Sequence, residues 1–420
     1  MSLTHVATGL IAAIAVLGVI TRPGNWSEAW WAVGGALVLV LFALIPPAAA
    51  LSAVGRGTDV YLFLTGMLLL SELARGEGLF DWLAAYALRH ARGSGRRLFL
   101  LVYAVGTLVT IFLSNDATAV VLTPAVYAVA RQARAEPAPY LLACAFIANA
   151  ASFVLPISNP ANLVVFGDQV PKLAAWIAQF AAASVVSILG TYLLLFLTQR
   201  RHLPARIAPP PRSSPLSGSG RVAAAAIVVT GVVLLVASTL GWQLGLPTCI
   251  AGVVAWLLIA LLKSASPWPV LRHISWGVLP LVAGLFVLVQ AIESTGALAA
   301  LTRALTAFLH QNLLATALAG GGAVALASNA VNNLPMGLIA ATVSRTGHLP
   351  ALLTGAFLIG VDLGPNLSIT GSLATILWLA ALRREGENFS GAKFLAVGAV
   401  VMPLTLLAAL AIFGWLSRHG

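Results

Sequence analysis

Four short polar runs interrupt long apolar stretches of the chain, and their side chains are suited to holding a small polar solute and a proton. They read Ser114-Asn115-Asp116-Ala117-Thr118, Pro156-Ile157-Ser158-Asn159-Pro160-Ala161-Asn162, Ser328-Asn329-Ala330-Val331-Asn332-Asn333-Leu334-Pro335 and Asp362-Leu363-Gly364-Pro365-Asn366, the last followed by Ser368, Thr370, Gly371 and Ser372. Asn offers two donors and an acceptor, and Ser or Thr offers one hydroxyl that does both. Candidate binding groups are therefore Ser114, Asn115, Thr118, Ser158, Asn159, Asn162, Ser328, Asn329, Asn332, Asn333, Asn366 and Ser368. Asp116 and Asp362 are the two acids inside the breaks. A carboxylate at mid-membrane costs roughly 2.5–3.5 kcal/mol on insertion scales and is retained mainly for function, so both are candidate proton carriers. The seven histidines fall outside the apolar stretches or at their margins, which leaves the proton to the carboxylates. Glu72 and Glu293 lie near the ends of apolar stretches, where water can solvate them.

The elements that must position these groups are membrane helices. Of the 420 residues, 60% are hydrophobic and only 8% are charged. Several apolar runs reach the ~20 residues that a helix needs to cross the hydrocarbon, whereas barrel strands would alternate over segments of about ten. Hydropathy places spans near 6–21, 29–50, 58–75, 138–167, 173–199, 222–241, 246–263, 276–294, 349–380 and 392–417, about ten in all. Segments 97–131 and 312–343 are too short for two crossings and a turn, and each breaks in the middle, so they are expected to be re-entrant hairpins. Residues 79–95 and 297–311, which precede them, have the mixed composition of interfacial amphipathic helices. The expected fold is thus an all-α polytopic membrane protein.

Proline frees the carbonyl one turn earlier, and hydrocarbon cannot satisfy such a group, so a broken helix persists where it lines a cavity. Kinking alone would account for any single break. Four breaks arranged in pairs point instead to helix ends meeting at mid-membrane, which supply positive amide ends and free carbonyls to a transported solute.

The pairing follows from an internal repeat. Gly66–Gly78 resembles Gly284–Gly296 at a shift of 218, Ser114-Asn115 matches Ser328-Asn329, and Pro160-Ala161-Asn162-Leu163 answers Pro365-Asn366-Leu367 across one gap. A Pro- and Ser-rich stretch at 200–221, with Pro209-Pro210-Pro211, falls between the two copies. The expected organisation is an N-terminal repeat over 1–199, a cytoplasmic linker over 200–221 and a C-terminal repeat over 222–420. Five spans in each half would insert the second half upside down, giving inverted-topology repeats.

With the N-terminus outside, 18 of the 23 Lys and Arg residues fall on one side, among them Arg75, Arg89, Arg131, Arg200, Arg272 and Arg384. The other side holds only Arg56, Lys172, Arg303, Arg345 and Arg418. The crowded side is cytoplasmic by the positive-inside rule, and both termini face out. The net charge of +11 is then topological and calls for no nucleic acid partner. Residues 1–5 lack the basic segment of a cleavable signal peptide.

In combination, FLSNDATAVVLTP at 112–124, SNPANLVVFG at 158–167, SNAVNNLP at 328–335 and GVDLGPNLSITGSLATILW at 360–378 resemble the ArsB arsenical pump family of the ion transporter superfamily. The resemblance spans essentially the whole chain. It implies a bacterial or archaeal cytoplasmic-membrane protein that exports arsenite and antimonite in exchange for protons, in some cases with a soluble ArsA-type ATPase docked on it. The chain carries no G-x-x-x-x-G-K-[ST] motif of its own, so it is expected to be a secondary transporter and not an enzyme, with no cofactor.

The residues themselves agree with such a substrate. Arsenite near neutral pH is mostly an uncharged trihydroxide, which needs donors and acceptors and no cationic clamp. No Lys or Arg stands near the four breaks, and two cysteines, Cys144 and Cys249, cannot make a three-thiolate arsenic site or a fixed metal centre. Two alternatives belong to the same superfamily: a sodium-coupled dicarboxylate or anion carrier, whose hairpin tips typically read Ser-Asn-Thr where this chain has Ser-Asn-Asp and Ser-Asn-Ala, and a sodium/proton antiporter.

Overall fold

A computed structural model describes residues 3–208, 215–264, 266, 268–309 and 312–419. Among them the regular structure is entirely helical. The first part of the chain contains α1 (Leu3–Thr21), α2 (Glu28–Leu41), α3 (Pro47–Arg56), α4 (Thr58–Gly76), α5 (Leu79–His90), α6 (Gly95–Phe112), the short turn α7 (Asn115–Ala117), α8 (Thr123–Gln132), α9 (Ala138–Ala150), α10 (Pro160–Phe166) and α11 (Leu173–Gln199). The second part contains α12 (Gly218–Leu240), α13 (Gly245–Lys263), α14 (Trp268–His273), α15 (Val278–Ser294), α16 (Ala297–Leu309), α17 (Leu313–Val331), α18 (Asn333–Thr346), α19 (Ala351–Leu363), α20 (Leu373–Arg384) and α21 (Gly391–His419).

Seven of these helices, namely α1, α6, α11, α12, α13, α17 and α21, are long and apolar enough to cross a membrane. Two bent pairs, α3 with α4 at 48° and α15 with α16 at 72°, bring the number to nine. Seven to nine stand against the about ten expected, and two of the seven, α6 and α17, are the first arms of the segments 97–131 and 312–343 expected to be re-entrant hairpins. The span expected over 29–50 ends at Leu41, and residues from Pro47 onward belong to the helix pair that follows. Pro46 and Pro47 explain this, because neither can donate the backbone bond that would continue α2. The segments 138–167 and 349–380 are each divided, and their first helices, α9 and α19, have only 13 residues.

Burial separates an outer ring from a centre. Only 28% of the best apolar window of α13 is buried, so most of its surface is left to lipid. In α9, every residue from Pro139 to Ala150 is buried. A helix apolar on all sides belongs in the interior, and α9 is such a helix. It is fastened there by Trp378, whose indole nitrogen donates to the Leu141 carbonyl at 3.0 Å, and by the Tyr140 hydroxyl, which donates to the Gly95 carbonyl at 3.2 Å.

Two helix crossings hold the frame. α4 packs along α13, and α15 packs along α2. Gly66 lies where α4 touches the Thr248 backbone, and a Cβ there would overlap that carbonyl. At Gly284, the partner of Gly66 in the sequence repeat, a Cβ would stand 2.6 Å from the Ala32 carbonyl carbon. Side chains at either position would hold the backbones apart, and small residues at such crossings allow the close packing that joins helices in lipid.

The stretch expected to be a linker over 200–221 is partly tied down. The Gly95 amide donates to the Pro204 carbonyl at 3.2 Å, the Ile207 amide to Gly93 at 2.9 Å and the Ala208 amide to Ala133 at 2.9 Å. α12 starts at Gly218, four residues before the expected span, because the Ser217 hydroxyl accepts from the Gly220 amide and caps it. Residues 209–214, with the three prolines, lie outside the described residues, as do His310 and Gln311 of the segment expected to be amphipathic.

Candidate functional site

Each break is built by its own polar residues. After α6 the chain turns extended at Ser114, whose hydroxyl accepts from the Ala117 amide at 3.1 Å and starts α7. The Asn115 side chain accepts from the Asp116 amide at 2.9 Å. Thr118 then lies alongside α6, with its hydroxyl 2.8 Å from that of Thr110 and 3.4 Å from the Gly106 carbonyl. These two contacts make 106–118 a doubled-back segment, and a π-helical turn over Thr118–Leu122 follows. Such turns loosen the helical ladder and are frequent at functional sites.

The second tip is sharper. Asn332 has φ +74° and ψ 152°, a conformation costly for any residue but glycine. It is held by its side chain, which accepts from the Leu334 amide at 3.4 Å and donates to the Thr370 carbonyl at 3.2 Å. Asn329 ties this tip to the second break: its amide donates to the Ala325 and Gly364 carbonyls at 2.8 and 3.0 Å, and its side-chain oxygen accepts from Ser368 at 2.7 Å.

In the first break, Asn159 is extended and its side chain caps α10 by accepting from the Ala161 amide at 3.0 Å. Ser158 donates to the Ile111 carbonyl at 3.1 Å, joining the break to α6. In the second, Ser372 and Thr375 form a reciprocal cap that starts α20.

Three of the breaks meet the start of α20, which follows the fourth. Asn115 and Asp116 from the first tip, Asn159 and Pro160 from the first break, Asn333 and Leu334 from the second tip, and Leu373 and Ala374 from the start of α20 line one central cavity. Its volume is about 10 Å³, closed down to the space of a single water. No Lys, Arg or His lines it. Asp362 lies directly behind: it is fully buried, its Oδ1 accepts from Asn159 Nδ2 at 2.8 Å, and its Oδ2 has no partner. Asn333 Oδ1 is likewise buried and unpartnered. An unpaired buried acceptor costs about 1–3 kcal/mol, and it marks where a proton, a hydroxyl or a water would be welcome.

The remaining candidates serve the frame around this cavity. Thr118, Ser158, Asn162, Ser328, Asn329, Asn332, Asn366 and Ser368 are all hydrogen-bonded to backbone or neighbouring side chains and do not line it. Ser114 lines a larger cavity next to it. One framing residue escapes sequence reasoning: Asn149, fully buried in α9, donates to Asn366 Oδ1 at 3.0 Å and accepts from Ser372 at 3.2 Å. A lone Asn in the apolar run 138–150 was the available signal.

Wider cavities flank the centre. One of 590 Å³ reaches Ser114 and Asp116 at its floor and has Glu72, Arg75, Asp81, Arg384 and Glu385 among its walls. Arg75 pairs with Glu72, and partial burial raises the Asp81 carboxyl above its ordinary value. The other, of 310 Å³, carries Arg56, Asp59, Gln290, Glu293, Arg345 and His348. Pro160 faces the first and Leu163–Gly167 the second, so α10 stands between them. Seven residues at 1.5 Å each make that partition only about 10 Å thick. Among the described residues, no group of three or more His, Cys, Asp or Glu is placed to hold a metal ion.

Comparison with known proteins agrees with this architecture. The chain is 27% identical to the arsenical pump membrane protein of Escherichia coli (strain K12) over 95% of its own length and 96% of that protein's. The arsenical pump membrane protein of Yersinia enterocolitica is 28% identical with the same coverage, and a putative arsenical pump membrane protein of Bacillus subtilis (strain 168) is 25% identical over 96% of this chain and 98% of that one. The fold is similar to the crystal structure of the YdaH transporter of Alcanivorax borkumensis, which has an unusual topology, with a TM-score of 0.57, 17% identity and 88% of each chain covered. The model of the citrate transporter family matches residues 15–354. This chain is therefore a multi-pass membrane protein that belongs to the citrate transporter family, a family of ion transporters.

Proposed function

We propose that this protein exports arsenite and antimonite from the cytoplasm as neutral trihydroxides, in exchange for protons. The observation that carries this reading is the central cavity, lined by three Asn residues and Asp116 and by no Lys, Arg or His. Asn nitrogens donate to the hydroxyl oxygens of a trihydroxide, while Asn oxygens and the Asp116 carboxylate accept from its O–H groups. A citrate or dicarboxylate anion would meet a carboxylate and no counter-charge there, which disfavours it in spite of the family's name. The similarity to arsenical pump membrane proteins over almost the whole chain points the same way.

In this mechanism Asp116 and the substrate compete. Facing the cytoplasm, ionised Asp116 accepts a substrate hydroxyl. Facing out, a proton takes that acceptor position and the substrate leaves. Asp362 senses the same cycle through Asn159, which touches both the cavity and the Asp362 carboxylate. One charge moving through 100 mV yields about 2.3 kcal/mol, roughly a fiftyfold gradient for a neutral passenger. The 590 Å³ cavity, whose Arg75 and Arg384 belong to the side that collects 18 of the 23 Lys and Arg residues, is the cytoplasmic vestibule, and both termini face out. The matched crossings at Gly66 and Gly284 support the reading of two inverted repeats.

The test is arsenite uptake into everted membrane vesicles energised by a proton gradient without ATP, comparing the unaltered protein with Asp116→Asn and Asp362→Asn. Accumulation that falls more than tenfold in each variant is expected. Citrate uptake, or arsenite uptake that requires sodium, would sink this assignment.

A further inference from the structure

The first break holds a feature that the transport cycle above does not use. Asn162 Nδ2 sits 2.8 Å from the Ser152 carbonyl oxygen, 3.1 Å from that of Leu155 and 3.3 Å from that of Pro156. Three acceptors surround one amide nitrogen that has only two protons to give. The residue is fully buried, and its own Oδ1 has no partner. The arrangement is therefore not a simple exchange of hydrogen bonds, since it satisfies the carbonyls and leaves the amide oxygen idle.

Carbonyls freed by an unwound membrane helix are the groups that replace the hydration shell of a sodium or potassium ion. Here they converge on a neutral NH2 group instead. At the second tip a related but ordinary contact is made, with Asn329 Nδ2 2.8 Å from the Ala325 carbonyl of its own helix and 3.0 Å from that of Gly364 in the second break. At Asn162 a side-chain nitrogen takes the position that a dehydrated cation would need.

We propose that the Asn162 amide is a built-in occupant of this carbonyl cluster, that it makes the carrier indifferent to alkali cations, and that exchanging its donor for an acceptor turns the cluster into a sodium or lithium site. Asn162→Asp would place a carboxylate oxygen among three carbonyls. That group is unfavourable alone and is stabilised by a small cation seated between the four oxygens. Asn162 is thus a specificity-determining residue for the coupling ion, and the assignment stands whatever solute the central cavity carries.

The measurement is thermal unfolding of the purified, detergent-solubilised full chain in mildly alkaline buffer with sodium, lithium, potassium or choline chloride at equal ionic strength. The unaltered protein is expected to melt at one temperature in all four salts. Asn162→Asp is expected to melt several degrees higher in sodium or lithium than in choline, with a concentration dependence that saturates, as ligand linkage requires. Stabilisation of the unaltered protein by sodium would overturn the proposal, as would an Asn162→Asp protein that folds and ignores every cation. If Asn162→Asp folds in no salt, Asn162→Ala, which vacates the same centre, carries the test. A response of that variant to sodium or lithium supports the proposal, and its absence, or failure of both variants to fold in any salt, overturns it. Because no substrate enters this assay, its outcome is separable from that of the arsenite transport experiment.

Discussion

Asn159 and Asp362, 203 positions apart, share a hydrogen bond of 2.8 Å in the fully buried centre of the protein. Asn159 also caps α10 and lines the central cavity, so one amide connects a helix start, a carboxylate and that cavity. Asp362 has no other partner on either oxygen among the hydrogen bonds of the described residues.

Removing that donor should expose the dependence. Asn159→Ala leaves the Asp362 carboxyl without its partner, a loss of about 1–3 kcal/mol for a buried group. A double-mutant cycle with Asp362→Asn, read by thermal melting, should show a coupling of about 0.5–3 kcal/mol, because contacting residues are not additive. Additive effects would mean that the two side chains do not act on each other.

The helix crossings make a second prediction about packing. Gly66→Ala and Gly284→Ala should each destabilise the protein by about 1–3 kcal/mol, since a methyl group would meet backbone that cannot retreat. Gly76→Ala, on the same helix as Gly66 but with nothing within 4 Å of the added carbon, is the control and should change stability by less than about 0.5 kcal/mol. Equal melting temperatures for Gly66→Ala and Gly76→Ala would show that α4 and α13 do not touch as described.

Sidedness is open to direct labelling. In a background where Cys249 is replaced by Ala and buried Cys144 is kept, Ala128→Cys should react with a membrane-impermeant maleimide from the cytoplasmic side only. Arg345→Cys, in the opposite vestibule, should react only from outside. Reversed accessibility at both positions would invert the assigned topology.

Much of the central site was legible in the sequence because its constraint is local. Hydrocarbon offers no hydrogen bonds, so a Pro next to Asn and Ser inside an apolar run already says that the backbone opens there and that something polar faces it. Three of the four breaks carry such a Pro, and the first tip, which has none, was visible from Ser114, Asn115 and Asp116 themselves. Helix boundaries were less so. The span expected over 29–50 failed because hydropathy continues across Pro46-Pro47 while the backbone bonding does not.

Composition and residue spacing set the class of protein, the places where helices break, and the inventory of groups that could bind a solute or a proton. These follow from composition and from the covalent limits of proline, which act within a few residues. Which of those groups share a cavity was settled by packing. Asn115, Asp116, Asn159 and Asn333 come together, whereas Asn162, Asn329 and Asn366 turn away to satisfy carbonyls and neighbouring amides. It also brought in Asn149, whose role depends on Asn366 lying 217 residues along the chain. An amide side chain has the same donors and acceptors wherever it stands in the sequence. What it does is set by the partners that packing brings within about 3 Å, and those partners come from helices far apart along the chain.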